Sequence, residues 1–558
     1  MKKYLLIALS VVALTFTSCA DFLKPQPEGA PTKEQYFTND QQAEQAVQAL
    51  YSRMSQEAIY GRNIFWEQAG ANDIVFGRES GSRVPLATLN PTGDTGNLRD
   101  IYRYCMQWIA SSQWVIQGLE AKRATTELTA VETRSLGEAY FLRGLWHFIA
   151  AYRHGKGDLG VPFKPWEEYE NGYNNEMPPQ QPSVTDNYAY IVADFKKAEE
   201  FLPWNGTITS TYDESNRGRA HKVSAIAYQA KVLAYWATWD KSKWADVITL
   251  VDKLEREFGR DLAPTFAELW SSDFADFWNA ECCYSIPSNG GAMGGPIEFG
   301  GIIVENKGWG KFNGWGQMKP TLDIYDEMAK DNWETNADGS VKKNDRLAKS
   351  ILEYGDKFMY FGEERLFWST SDIEAGFMIN KYMDALKYED PEGMGYLVPN
   401  ADWPCTRVNF HLLRFADLKL LRAEAYLNQG NGAKAAEDIN DIRLRSNLKP
   451  LAGAATWTDL YHERRCELAF EMADHLHDIK RWAVSGAAEI KALAIAELEK
   501  HPDVRNHEDR ANPHSPWVKA PYADYQSPAK QWVDAKIAFP YPADEITAAG
   551  GAYKQIVY

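Results

Sequence analysis

LLRFADLKLLRAEAYLNQGNGAKAAEDINDIRLRSNL, residues 412–448, decides the fold of this chain. Residues 412–428 carry apolar side chains at helical spacing, residues 433–447 do so again, and Gly430-Asn431-Gly432 between them marks a turn. Ala423 is followed three residues on by Tyr426, then by Gly430 at the turn and by Ala435 on the second helix. The small residues let the two helices approach closely, and the aromatic ring fills the gap to the next hairpin.

That spacing is the tetratricopeptide one, and hairpins of the same style lie upstream. Residues 223–239 and 244–258 flank the turn Asp240-Lys241-Ser242. Residues 136–152 (LGEAYFLRGLWHFIAAY) form one long amphipathic helix, and 188–202 another, stopped by Pro203. Residues 98–119 repeat the pattern through Ile101, Tyr102, Cys105, Ile109, Trp114 and Ile116. Thr38-Asn39-Asp40 can cap a helix running through Ala43, Ala46, Val47, Leu50 and Met54. The fold class is mostly α: a tetratricopeptide-like helical-repeat scaffold of about four helix pairs.

Residues 269–410 break this rhythm. Glycine clusters such as SNGGAMGGPIEFGG (288–301) and short mixed runs at 282–286 and 302–304 predict irregular loops and short strands set on the helical frame. Loops held by a rigid scaffold are where binding residues concentrate. The chain divides into a signal peptide (1–18), a spacer (19–31), an N-terminal helical region (32–268), a loop-rich ligand-binding region (269–410) and a C-terminal repeat region (411–558).

Composition narrows the function. The chain has 558 residues, 25% of them charged, and a net charge of −17, which argues against nucleic acid and anionic membrane surfaces as partners. Lys2 and Lys3 precede an apolar run, 4–16, that is too short to span a bilayer, and Thr17-Ser18 then leads to Cys19. This resembles the start of a bacterial lipoprotein, whose cysteine is lipidated and becomes the first mature residue. An ordinary cleaved signal with an incidental cysteine is the alternative. Removal of residues 1–18 takes two lysines and moves the charge from −17 to −19. ADFLKPQPEGAP (20–31) reads as an extended spacer between lipid and body. The remaining cysteines, Cys105, Cys282, Cys283, Cys405 and Cys466, make neither a disulfide framework nor a zinc pattern. Cys282-Cys283 admits a strained vicinal bridge or two buried thiols in a strand, and the second is favoured.

The longer motifs resemble the SusD/RagB family. LGEAYFLRGLWHFIAAYRHGKGDLGVPF (136–163) looks like its first helical signature, and GRAHKVSAIAYQAKVLAYWATWDKSKWADVI (218–248) like its second. Residues 412–448 are similar to its most recognisable segment, ERRCELAFEMADHLHDIKRW (463–482) to the one that follows, and FPYPADEI (539–546) to its closing motif. The resemblance implies a lipid-anchored protein of the outer membrane, facing the outside. Such a protein caps a SusC-like TonB-dependent barrel and loads it with oligosaccharide or, in some relatives, peptide.

Candidate chemistry is sparse. Glu463, Glu467 and Glu471 share one helix stripe, neighbours about 6 Å apart, with Arg464, Arg465, Lys480 and Arg481 near in sequence. Two of these carboxylates could be the acid and base of a glycosidase; the favoured reading is an Arg–carboxylate clamp between repeats. His475, His477, His501, His507 and His514 lack a completing ligand set, so no metal is expected, and no phosphate loop or nucleophile motif calls for a cofactor.

The leading ligand-binding candidate is ENKGWGKFNGWGQMK (305–319). Trp309, Phe312 and Trp315 recur every three residues beside glycine or asparagine, which leaves ring faces open for the C–H face of a sugar. Asn306, Asn313, Gln317 and Lys311 can hydrogen-bond its hydroxyls. These rings could instead pack the loop onto the helices. The second candidate is the segment at Asn72-Asp73 with Phe76, Arg78, Arg83 and Asn90, a position that the family resemblance associates with the ligand face. Its arginines suit an acidic sugar or a peptide carboxylate, or are solvated loop charges.

Four functions compete: a glycan-binding importer component, a peptide-binding one, a surface glycosidase, and a repeat scaffold that binds only protein. The lipoprotein start is tested by Cys19→Ala. Wild-type protein should partition with the detergent phase of a membrane extract and the variant with the aqueous phase; equal partitioning would contradict an acyl anchor.

Overall fold

A computed structural model describes residues 36–54, 56–76, 81–169, 176–204, 218–271, 279–287, 316–360, 363–367, 376–382, 408–472, 474–509, 515–522 and 529–558. Helix α1 (Asp40–Tyr51) starts at Asn39, whose side chain accepts from the Gln42 N–H. Helices α2 (Gly96–Arg123) and α3 (Ala130–His154) exceed their expected lengths. For α3 the reason is local: Thr129 and Glu132 form a reciprocal capping box that starts the helix six residues before the apolar run does. Helix α4 (Val184–Phe201) opens on the same device, Ser183 with Asp186. Helices α5 (Lys222–Trp236) and α6 (Lys243–Phe258) follow, and α6 ends on Gly259 in the left-handed conformation.

Each of α2 to α6 packs on the next, and α6 then packs on α9, which begins at Phe415. Between them lie the short helices α7 (Leu322–Ala329) and α8 (Asp345–Ser350) and most of the strands. The repeat stack is therefore continuous in space, with the loop-rich region inserted between two stacked members. The quoted hairpin is α9 (Phe415–Asn428) and α10 (Gly432–Arg445). Ala423 and Ala435 are fully buried, and Gly430 turns the chain at φ +73°. Helices α11 (Trp457–Glu467), α12 (Asp474–Ser485), α13 (Ala488–Leu498) and α14 (Ala543–Ala548) complete the frame. The fold is mostly helical, as the apolar spacing requires.

One boundary differs from the sequence reading. Residues 412–414 are not helical; they end strand β10 (Phe410–Arg414), which pairs antiparallel with β2 (Cys282–Ile286). The pairing carries β10 straight into α9 and fixes the insert to the repeat. Cys282 and Cys283 in β2 are free, buried thiols, which removes the vicinal bridge.

Arginine–carboxylate contacts hold the helices together. Arg143 of α3 grips Asp194 of α4 through two nitrogens, at 2.9 and 2.5 Å, and donates to Gln113 of α2 at 2.7 Å. Arg422 of α9 reaches Asp438 of α10 at 2.9 and 2.6 Å, and Asp252 and Glu255 of α6 at 2.6 and 2.8 Å. Glu463 and Glu467 lie in the last turns of α11 and Glu471 lies past its end, so the expected single-helix stripe is broken, and the three carboxylates take their partners from other segments rather than from the neighbouring arginines. Arg414 donates to Glu467 at 2.6 Å, Glu471 at 2.8 Å and Glu281 at 2.8 Å. Arg445 bonds Glu281 at 2.7 Å and also pairs with Glu467. Lys381 meets Glu471 at 2.8 Å, Arg443 meets Glu463 at 2.9 Å, and Arg346 pairs with Glu463 and with Asp331.

Glu463 and Glu467 are 0% exposed. Burial alone would raise the Glu467 carboxyl, but Arg445, Arg414 and Arg346 outweigh it and hold the group well below the usual carboxylate range. Burial likewise opposes ionisation of Glu471, and Arg414 and Lys381 reverse it. A depressed folded pKa means stability that is present above the unfolded value, near 4.3, and lost as pH falls through the folded value. Urea titrations should show stability falling steadily below about pH 4. Glu467→Gln, which takes a buried counter-charge from Arg346, Arg414 and Arg445, should cost about 3–5 kcal/mol at pH 7; a change under about 1 kcal/mol would contradict the clamp.

Candidate ligand-binding face

The two candidate segments, more than two hundred residues apart, meet at one strand pair. Strand β1 (Ile74–Phe76) pairs antiparallel with β3 (Met318–Pro320), placing Ile74 opposite Pro320, Val75 opposite Lys319 and Phe76 opposite Met318. Residues 77–80 leave from Phe76, and residue 315 and those before it arrive at the facing end of β3 through Gly316, at φ +58°. Trp309, Phe312, Trp315, Asn306, Asn313 and Arg78 lie outside the described residues. Their anchoring strands are described, and Phe76 and Met318 face each other in them.

Below this ledge the chain is fastened by long-range polar contacts. Asn72 takes the left-handed conformation at φ +60°. It donates to the Glu497 carbonyl and accepts from Lys530, both at 2.8 Å, while its own carbonyl accepts from the Thr321 hydroxyl at 2.6 Å. Asp73 is ion-paired with Arg465 at 2.9 Å. Arg465 also reaches Glu497 at 3.1 Å, and His475 reaches Glu497 at 3.0 Å. Burial opposes the charge on Glu497, and Arg465 and His475 overcome it, lowering its pKa to about 2. The Tyr522 hydroxyl donates to the Phe76 carbonyl at 2.5 Å.

Three expected ligand contacts are thereby corrected. Asn72 (1% exposed), Asp73 (2%) and Phe76 (0%) offer no surface to a ligand; they are the footing of the ledge. Asn90 is likewise engaged, accepting from Lys536 at 2.9 Å. Arg83, like Asn90, is partly exposed. Its guanidinium carbon lies 3.8 Å over the Trp66 ring, which in turn meets Phe76 edge-on at 5.6 Å. Sequence reasoning missed Trp66, Tyr522 and Lys530. Trp66 sits just before the candidate segment and was open to inspection; nothing local marks Tyr522 or Lys530.

Two carboxylate–histidine groups have ligand atoms close enough for a metal: Asp73, His475 and Glu497, and Asp331, His462 and Glu463. In the first, the Arg465 guanidinium already contacts Asp73 and Glu497. In the second, Arg346 and Arg443 contact Asp331 and Glu463. Fixed cations repel another cation, so both groups read as ion-pair knots. His477 is similarly committed, to Glu67 at 3.0 Å. The Glu463–Glu467–Glu471 stripe is sealed from substrate. Glu467, held ionised, also has no proton to give at neutral pH, which a glycosidase acid must have.

Fold and site together define a helical-repeat protein in which the strand pair β1–β3 joins an early segment to the inserted region. The profile of the SusD family matches residues 288–558. SusD-like protein P25 of Formosa agariphila is 23% identical over 535 residues, covering 87% of this chain and 90% of that protein. A SusD-like protein from Bacteroides fragilis superimposes with a TM-score of 0.71 at 20% identity, covering 95% of this chain and 99% of that one. Surface glycan-binding protein A from Bacteroides thetaiotaomicron, in complex with laminarihexaose, gives 0.66 at 16% identity, covering 93% and 100%. The chain belongs to the SusD/RagB family.

The footing is tested by Asp73→Asn. It should destabilise the protein by about 3 kcal/mol or more, because Arg465 loses a buried counter-charge. Arg83→Ala, at a partly exposed position, should stay within about 1 kcal/mol of wild type. Equal losses in the two variants would contradict this division of roles.

Proposed function

We propose that this is a non-catalytic glycan-binding lipoprotein, anchored through Cys19 in the outer membrane and facing outward, which passes oligosaccharide to a SusC-like TonB-dependent barrel. One observation carries the reading: the β1–β3 pair joins the arginine-bearing segment at 77–83 to the end of the Trp309–Phe312–Trp315 segment. By sequence, those two segments carry the aromatic rings and hydrogen-bonding side chains that a pyranose chain needs. Family membership and the laminarihexaose bound by a protein of the same fold support it. No helix among the described residues is long and apolar enough to cross a membrane. The sealed carboxylate stripe supports binding without cleavage. Arg83 would add affinity for an acidic sugar; a peptide carboxylate would use the same group, and a peptide ligand is the alternative the assay must include.

The experiment is a binding screen of the purified protein against polysaccharides and a peptide mixture, with product analysis by chromatography. The reading predicts binding to at least one glycan and no released fragments. Replacing Trp309 and Trp315 together by Ala should weaken that binding at least tenfold while the unfolding midpoint stays within a few degrees. Unchanged affinity in the double variant removes the ledge from the account. Affinity for peptides alone transfers the role to a peptide importer.

A further inference from the structure

Buried cations of the frame are answered by carboxylates: Arg143 by Asp194, Arg414 by Glu467 and Glu471, Arg464 by Asp417 and Asp478. Three lysines around the C-terminal tail depart from this rule. Lys480 of α12, Lys530 and Lys536 are 1%, 5% and 6% exposed, and none of them meets a carboxylate among the described residues. The Lys480 ammonium has no hydrogen-bond acceptor and stands 3.6 Å over the Phe539 ring. Lys530 donates to the Gly70 carbonyl at 3.1 Å and to the Asn72 side chain at 2.8 Å. Lys536 donates to the Asn90 side chain at 2.9 Å and to the Gln531 carbonyl at 2.6 Å.

The two tail lysines hold one segment at both ends, and β1 and Arg83 lie between Gly70 and Asn90. The tail itself is seated at Phe539. Its N–H donates to the Arg153 carbonyl at 2.6 Å, and its carbonyl accepts from His154 at 3.2 Å. Lys480 lies against that seat. The charged groups facing Lys480 are Glu67, Arg153 and Lys536, with His477 on its own helix. Glu67 is already paired with Arg153 and His477. Those facing Lys530 are Glu497, Asp323 and Lys536. Glu497 is taken by Arg465 and His475, and Asp323 by Lys500. Beside Lys536, Asp534 accepts from the Trp532 indole at 3.2 Å, and the Tyr558 ring stands 5.7 Å away.

A neutral amine has two N–H groups, enough for both bonds of Lys530 and both bonds of Lys536. Protonation adds a third N–H without an acceptor and a charge without a counter-charge in a dry place, which is unfavourable. Burial accordingly pulls Lys480 and Lys530 down to about 7 and lowers Lys536 as well; Glu67 beside Lys480 and Glu497 beside Lys530 oppose it only in part. We propose that Lys480, Lys530 and Lys536 form a proton-sensitive clasp: with the amines neutral the tail grips the Gly70–Asn90 segment firmly, and protonation loosens the grip. Free lysine keeps its proton up to about pH 10.4, so an opened clasp takes up protons that the closed one refuses. The penalty is full below about pH 7 and is relieved as pH rises from there toward 10, by up to about tenfold in the opening equilibrium per pH unit for each lysine. His475 acts in the opposite sense: burial disfavours its charge, Glu497 outweighs burial and raises its pKa, and what it contributes fades as pH climbs.

The test is hydrogen–deuterium exchange of the full chain without ligand, at about pH 6.5 and about pH 8.5. Dividing each rate by that of an unstructured peptide at the same pH gives the opening equilibrium of peptides covering 67–76, 84–90 and 529–541. Wild type, Lys480→Met and Lys480→Arg are compared. In wild-type protein, opening at these peptides should fall by about tenfold or more from the lower pH to the higher. Lys480→Met removes one proton site; it should open at least about threefold less often than wild type at the lower pH and respond less to pH. Lys480→Arg keeps its charge throughout and should open about tenfold more often than wild type at the higher pH. Opening that is equal at the two pH values in wild-type protein overturns the clasp, as does a Lys480→Met variant that opens more often than wild type at the lower pH. Should Lys480→Met misfold, the wild-type comparison between the two pH values decides alone. No glycan enters the measurement, so its result and that of the binding screen are independent.

Discussion

The Glu467 carboxylate sits where three parts of the chain have to agree. Arg414 comes from the strand that opens the α9–α10 hairpin, Arg445 from that hairpin's far end, and Arg346 from the inserted region. These side chains are at most 4% exposed, so each charge is tolerable only while the others are in place. The same rule operates at Asp417, which takes Lys231 of α5 and Arg464 of α11, and at Asp194, which takes Arg143. Apolar burial supplies the driving force for collapse, but these knots choose which helix faces which. The guanidinium geometry accepts one arrangement of carboxylates and penalises its neighbours.

A frame specified in this way can carry an irregular insert without being distorted by it. Helices α6 and α9 pack as consecutive repeats although residues 259–414 run between them. The insert returns to the frame at two short strand pairs, β2 with β10 and β1 with β3. The first joins it to the repeat hairpin; the second joins it to the early segment beside Trp66 and Arg83. Under the proposed function, segments that start from such junctions have their ends fixed by the frame, which limits the entropy lost when a ligand arrives.

How much was legible in the sequence depended on the range of the interaction. The α9–α10 hairpin was readable because its determinants, Ala423, Tyr426, Gly430 and Ala435, lie within one turn-spanning window. The start of α3 was readable in principle, since Thr129 and Glu132 are three residues apart. Residues 412–414 looked helical because their strand partner is some 130 residues away in β2. Asn72 and Asp73 were expected at the ligand because the family resemblance associates their segment with the ligand face. Their actual partners, Lys530, Thr321 and Arg465, are 250 to 460 residues distant, and no local pattern announces them. Charge along the sequence misled in the same way: the glutamate stripe appeared to belong with Arg464 and Arg465, but those two serve Asp417, Asp478 and Asp73.

The proposed function requires a fixed frame whose ledge engages cargo while the frame itself stays still. Hydrogen–deuterium exchange with and without a bound glycan measures that directly. Slowed exchange at residues 77–83 and 305–319, with α9, α10 and α11 unchanged, is the predicted result. Slowing spread through those helices, with none at the two segments, would contradict it.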